Sequence, residues 1–273
     1  MTVARSAGPP TEPDALDERR IEAALAAAGC VAPEAEAVAL RRASLDGAGA
    51  VENLVARRIR GEPLAWIVGS VEFCGLRIRI DPGVFVPRPQ TEDLARRAIA
   101  CLRDGGVAVD LCTGSGAVAA ALAAARPAAT VLATDIDPVA VACARRNGVR
   151  TLLGDLDEPL PRSLVGRVDV MTAVVPYVPH EELHLLPRDV VAHEPRLALD
   201  GGTRGTVALA RVTPASARWL RPGGHVLLEL GGDQAAEVAT MLEEAGLTGI
   251  SVHRDDDGQD RAIEARRAEP AGT

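Results

Sequence analysis

Apolar residues recur at helical spacing through three N-terminal segments, Asp14–Gly29, Pro33–Ser44 and Val51–Arg60, each with Gly or Pro near its ends. That pattern predicts a small helical bundle. The period then changes to two. Over Glu72–Ile80, Phe73, Leu76, Ile78 and Ile80 alternate with Arg77 and Arg79, which predicts a short strand or hairpin. From Val84 onward, strand-length apolar runs at Val107–Val109, Val131–Thr134, Val168–Val174 and His225–Leu230 alternate with helical patterns at Thr91–Leu102, Ala117–Ala125, Pro138–Asn147, Val207–Trp219 and Gln234–Ala245. Such alternation is the signature of an α/β fold with a largely parallel sheet. The expected organisation is a helical domain over 1–72, a bridging hairpin over 73–84 and an α/β domain over 85–273. The first ten residues and the tail after Arg266 lack either period and are expected to be disordered.

The richest stretch is Val107–Pro138, VAVDLCTGSGAVAAALAAARPAATVLATDIDP, a strand, a glycine turn, a helix and a second strand ending on an acid. Asp110 closes the first strand at the carboxyl edge of the sheet. Gly114 and Gly116 let the backbone turn sharply there and approach a ligand. Asp135 closes the second strand at the same edge, where a carboxylate can take both hydroxyls of a ribose. A pyrophosphate prefers a helix N-terminus free of negative charge. Asp110 therefore suits a cationic ligand such as the amino-acid end of S-adenosylmethionine (SAM), while NAD and a ligand-free turn are the alternatives.

Composition narrows the classes. The chain has 273 residues, 47% of them hydrophobic, enough for one large domain and a small one. A net charge of -8, with only short arginine clusters such as Arg57-Arg58-Ile59-Arg60, argues against nucleic acid as a ligand. All 30 basic residues are arginine, which excludes lysine Schiff-base chemistry and a lysine phosphate loop. Cys30, Cys74, Cys101, Cys112 and Cys143 are scattered without a Cys-x-x-Cys pair, and neither a secretory segment nor a membrane-spanning run is present; a cytoplasmic protein with reduced thiols is expected.

Further motifs carry a resemblance. GEPLAWIVGSVEFCGL (Gly61–Leu76), FVPRPQTE (Phe85–Glu92), DLCTGSG (Asp110–Gly116), TDIDPVAVACARRN (Thr134–Asn147), VPYVP (Val175–Pro179), HEPRLALDGG (His193–Gly202) and LRPGGHVLLELGGDQ (Leu220–Gln234) together resemble the HemK-type protein-(glutamine-N5) methyltransferases, which modify release factors. The resemblance runs in order over nearly the whole chain. It implies a Rossmann-like SAM-dependent methyltransferase domain with a small N-terminal helical domain and a bridging β-hairpin. It also implies a cofactor site of Asp110, Cys112, Thr113, Gly114, Ser115, Gly116, Asp135 and Ile136, with Asp155 near the adenine amino group and Leu156 beside the ring. Arg88 and Gln90 resemble a hinge segment that covers the cofactor. The implied partner is a protein substrate such as a translation release factor.

Two positions depart from the family. Cys112 stands where the family's turn has its first glycine, so a side chain must be carried at a position suited to positive φ. More consequential, the family's catalytic Asn-Pro-Pro-Tyr aligns with Val174-Val175-Pro176-Tyr177. In the family the Asn side chain and a backbone carbonyl accept the two N–H groups of the substrate amide; valine offers no acceptor. The resulting alternative is a specialised SAM-binding enzyme acting on a small metabolite.

One motif points to another class. His180-Glu181-Glu182-Leu183-His184 matches the zinc-protease pattern H-E-x-x-H, but Pro179 and Pro187 bracket it closely and no third ligand follows at a recognised spacing. A zinc hydrolase through His180 and His184 is thus a remote alternative, and no metal site is assigned. His193-Glu194 reads as a loop element, and His225 and His253 carry no special context.

Overall fold

A computed structural model of the chain describes residues 12–269, with side chains from residue 18. It divides into two compact units between Gly69 and Ser70. The expected disorder of the first ten residues and of residues 270–273 lies outside the described residues.

In the first unit, α1 (Glu12–Ala27), α2 (Pro33–Leu45), α3 (Val51–Ile59) and α4 (Leu64–Val68) bury Leu25, Ala37, Leu40, Leu54 and Ile67 in one core. Pro33 opens α2 with its φ already helical, and Glu34 and Glu36 complement the first-turn dipole. A buried ion pair, Arg58 Nε to Glu36 Oε2 at 2.7 Å, links α3 to α2. The three periodic segments are helices as expected. The five residues of α4 are too few to show a period, and Gly69, at φ +77°, ends that helix in the left-handed conformation.

The second unit opens with a hairpin rather than one strand: β1 (Ser70–Phe73) and β2 (Leu76–Arg79) pair antiparallel around Cys74-Gly75. Both turn residues have positive φ, +50° and +75°, as a two-residue turn of type I′ requires. There follow α5 (Thr91–Cys101), β3 (Val107–Leu111), α6 (Ala117–Ala125), β4 (Thr130–Asp135), α7 (Pro138–Arg146), β5 (Thr151–Leu153), β6 (Val168–Ala173), α8 (Arg188–His193), α9 (Val207–Trp219), β7 (Leu220–Glu229), α10 (Ala235–Glu244), β8 (Leu247–Arg254) and β9 (Asp260–Arg267). The seven strands β3 to β9 form one sheet in the order β5-β4-β3-β6-β7-β9-β8, parallel from β5 to β7 and antiparallel at β9 and β8. The α/β Rossmann-like class is confirmed.

Three of these strands escape the sequence pattern. β5 has three residues, and β8 is solvent-facing at most positions, so neither shows a clean apolar period. β9 carries the chain through Arg267, which pairs with Leu247, so the tail after Arg266 is not disordered at its start. Expected boundaries also move: the strand expected over 168–174 ends at Ala173, and the one expected from His225 begins at Leu220.

The order of the sheet positions the site. From β3 the chain steps outward through β4 to β5, then returns to place β6 and β7 on the other side of β3. At such a switch point the crossover connections diverge and leave a crevice at the carboxyl ends of the strands. Asp110, Asp135 and the segment after Ala173 all lie at those ends.

Candidate active site

A cavity of about 530 Å³ occupies the crevice and is lined by every sequence-predicted site residue from Asp110 to Tyr177 except Gly116, together with Arg88 and Gln90. Gly116 serves the turn instead: it sits at φ +83°, and a Cβ there would come within 3.0 Å of Ala144 and Val149.

On the β3 side, Asp110 is 2% exposed and its two oxygens accept the hydroxyls of Thr113 and Thr172, each at 2.6 Å. Burial pushes its pKa up to about 6, with the nearby Asp135 charge adding to the two hydroxyl bonds' failure to offset it. Asp135 is raised as well, chiefly by burial, although it accepts the backbone N–H of Gly114 at 2.8 Å and of Asp137 at 2.9 Å. Two crowded carboxylates with raised pKa values are what a site built for a cation presents before the cation arrives. The lining arginines are already engaged: Arg211 pairs with Asp155 at 2.8 Å and Arg88 with Glu194 at 2.8 Å. Ser115 adds a buried hydroxyl without a hydrogen-bond partner. The donor set thus fits a cationic, hydroxyl-bearing molecule, as SAM is.

The turn is held from outside the motif. Asn147 Nδ2 donates to the Ser115 carbonyl at 2.8 Å and to the Arg79 carbonyl at 2.9 Å, joining the glycine turn to the β-hairpin. Cys112 has φ +55° and Leu156 φ +47°, so two side chains that border the cavity occupy the left-handed region. Residues other than glycine sit there at a cost of about 1–3 kcal/mol and persist where the surroundings over-determine them. Burial raises the Cys112 thiol well above its ordinary range, which makes it an inert wall.

On the β6 side, Val174, Val175, Pro176 and Tyr177 leave the strand along the cavity, with Val175 1% exposed. Gln234 Nε2 donates to the Tyr177 carbonyl at 2.8 Å, while Gln234 Oε1 accepts from Gly231 N at 3.0 Å. The Tyr177 ring packs against Gly231, where a Cβ would fall 2.5 Å from a ring carbon. Behind the ring, buried Glu229 accepts from Thr91 Oγ1 at 2.6 Å and its pKa is raised by burial. Burial and the Glu229 charge together push the Tyr177 hydroxyl upward, so it stays protonated.

Glu194 is more than a loop element. Both its oxygens accept from Arg88 Nη2, at 2.8 and 2.9 Å, and the Arg88 guanidinium stacks over Phe85 at 4.6 Å. This pair fastens the Pro87-Arg88-Pro89 segment to the loop before Leu199. Local sequence gives no signal for a partner 106 residues away, nor for Glu229 or the apolar wall of Leu186, Val190 and Leu197.

His180 and His184 are not brought together. Residues His180–Leu185 form a 3₁₀ helix, in which positions i and i+4 do not share a face, and His180 Nδ1 instead meets Asp200 at 3.0 Å. Among the described residues, the metal-competent cluster lies elsewhere and excludes both histidines.

Comparisons with known proteins agree with this geometry. Residues 75–153 match the family model described as methyltransferase small domain. A release factor glutamine methyltransferase of Mycolicibacterium smegmatis is 37% identical over 267 residues, covering 90% of this chain and 94% of that protein. The chain belongs to the release factor glutamine methyltransferase family. It is a SAM-dependent methyltransferase. Within the same range of similarity is a 4-amino-L-phenylalanine/4-methylamino-L-phenylalanine methyltransferase of Streptomyces pristinaespiralis, 40% identical over 205 residues and covering 71% of this chain and 70% of that one. A methyltransferase structure from Pyrococcus furiosus, 21% identical with a TM-score of 0.53, covers 71% of this chain and 90% of its own and shares the fold. No helix among the described residues is long and apolar enough to cross a membrane.

Proposed function

We propose that the chain methylates the side-chain amide nitrogen of a glutamine in a protein, with a translation release factor as the partner. The supporting observation is that Val174–Tyr177 and the Asp110/Asp135 pair border one cavity, so an acceptor entering along the β6 side meets the cationic end of a bound cofactor. SAM supplies a methyl group on a sulfonium, ready for in-line transfer. The residues of the chain bind and orient. Asp110 faces the cationic end, Asp135 takes the ribose hydroxyls, and Ile136, Asp155 and Leu156 border the adenine. Cys112, Thr113, Gly114, Ser115 and Gly116 shape the turn beneath. The Val175 carbonyl accepts one amide N–H, and Pro176 and Tyr177 wall the acceptor. Proximity and orientation then carry the catalysis. Without a side-chain acceptor at position 174, the orientation loses one neutral hydrogen bond, about 0.5–1.5 kcal/mol.

A second reading is favoured by Val174 itself. An amine nitrogen holds a nucleophilic lone pair and needs no paired amide acceptors, so an apolar residue at this position suits a small amine-bearing metabolite. The Streptomyces pristinaespiralis relative is named for such an acceptor.

Incubation with methyl-labelled SAM, once with a release factor carrying its Gly-Gly-Gln loop and once with 4-amino-L-phenylalanine, separates the two. Label on the loop glutamine is the expected result. Label only in the amine transfers the assignment to the second reading, and label in neither overturns both.

A further inference from the structure

Away from the cavity, α5 packs across β7, and its last residue, Cys101, meets two strands of the antiparallel edge. Cys101 Sγ, His225 Nδ1 on β7 and a Glu264 carboxylate oxygen on β9 all lie within 4.8 Å of one another. His225 Nδ1 is 2.8 Å from Glu264 Oε1, and Cys101 Sγ is 3.7 Å from the same oxygen. From β8, His253 Nε2 approaches the other oxygen, Glu264 Oε2, at 3.2 Å. The sheet register explains the convergence. Glu264 stands opposite Leu227 on β7 and Ser251 on β8; His225 and His253 are each two residues along, so all three side chains leave the same face.

We propose that Cys101, His225, Glu264 and His253 bind one divalent ion of the zinc class. The donor chemistry selects the ion: one thiolate, two imidazoles and a carboxylate make a mixed S, N, O set of four, which suits zinc and is a poor match for magnesium or calcium. Three of the ligand atoms, those of Cys101, His225 and Glu264, already lie within 4.8 Å of one another, His253 reaches the far oxygen of Glu264, and each of the four residues comes from a different element. The side chains of His225, Glu264 and His253 are 28%, 20% and 18% exposed, so the site is reachable from solvent yet anchored in the sheet. The protons now joining Glu264 to both histidines and to the thiol are those an arriving ion displaces. An ion here ties the C-terminal end of α5 to β7, β8 and β9, while Thr91 at the other end of α5 already holds Glu229 beside the cavity. The role is structural: it pins a helix whose first residue lines the active site.

The test uses the full chain, freed of metal by a chelator. Zinc titrated against a chromophoric competitor is expected to bind at one equivalent per chain and to raise the melting temperature. Cobalt in its place is expected to show a thiolate-to-metal charge-transfer band. Cys101→Ser abolishes that band, and His225→Gln lowers zinc affinity by more than about tenfold, whereas Cys74→Ser changes neither. SAM affinity of each variant, measured by calorimetry, verifies that it folds. Zinc binding below one equivalent, a cobalt complex without the thiolate band, or a band that survives Cys101→Ser overturns the proposal and leaves the four residues as a hydrogen-bonded network.

Discussion

The Gln234 side chain holds the loop after β6 by its backbone: its Nε2 lies 2.8 Å from the Tyr177 carbonyl, and its Oε1 takes the Gly231 N–H at 3.0 Å. The residue is 6% exposed, so neither bond is exchanged readily for water. Gln234→Ala leaves both backbone groups unpaired and is expected to cost about 1–3 kcal/mol of stability. Turnover should fall more than cofactor affinity does, if the loop that moves is the one the proposed acceptor meets. Chemical denaturation alongside calorimetric SAM titration checks this; equal loss of both would assign Gln234 to the fold alone.

Asp110 carries a pH signature. Its pKa is raised from 3.8 to about 6 by burial, so the folded state holds a proton that the unfolded state has released. Stability contributed at this residue therefore falls as pH rises from about 4 to about 6. Cofactor affinity runs the other way, since a cationic ligand prefers the ionised carboxylate. Affinity should climb through about pH 6 and then level, and Asp110→Asn should flatten the climb, weakening binding above about pH 6 and little below it. A titration series across this range, with Asp135 intact, reads both effects.

Arg88 and Glu194 join segments far apart in sequence, and only the arginine retains solvent access, with side-chain exposures of 25% and 2%. Arg88→Gln strands a buried carboxylate and is expected to destabilise by about 1–3 kcal/mol. Burial already raises the Glu194 pKa, and losing Arg88 removes the chief opposing influence, so Glu194 should protonate at higher pH in the variant. The added loss of stability is then largest at neutral pH and shrinks in acid. Melting temperatures at two pH values distinguish this from a pH-independent packing defect.

Position 174 tests the chemistry. Val174→Asn with Val175→Pro restores a side-chain acceptor and removes a backbone N–H that Pro cannot supply. Amide methylation of a Gly-Gly-Gln loop is expected to rise by about tenfold, the worth of one regained hydrogen bond. Unchanged amide methylation would mean that the backbone carbonyls alone orient the amide. Loss of activity toward a small amine in the same variant would favour the metabolite reading.

Local rules made much of this protein legible. The switch from helical spacing to alternation announced the N-terminal helices and the hairpin. The apolar runs announced the parallel strands, and the glycines after Asp110 announced the turn, with Gly114 and Gly116 at φ +56° and +83°. Each of these depends on residues a few positions apart, where backbone sterics and burial of one face decide the outcome. Tertiary structure alone decided what joins distant residues. β8 is too solvent-exposed to carry a period and β9 buries its residues without a clean alternation, and their place at the sheet edge follows from β9 pairing with β7 and β8 with β9. The hold of Asn147 on the glycine turn, of Gln234 on Tyr177 and of Arg88 on Glu194 spans 32, 57 and 106 positions. His225 and His253, featureless in sequence, converge with Cys101 on Glu264 because antiparallel register sends alternate side chains to one face. A one-dimensional pattern records which face a residue prefers, and only the folded sheet determines which residues share it.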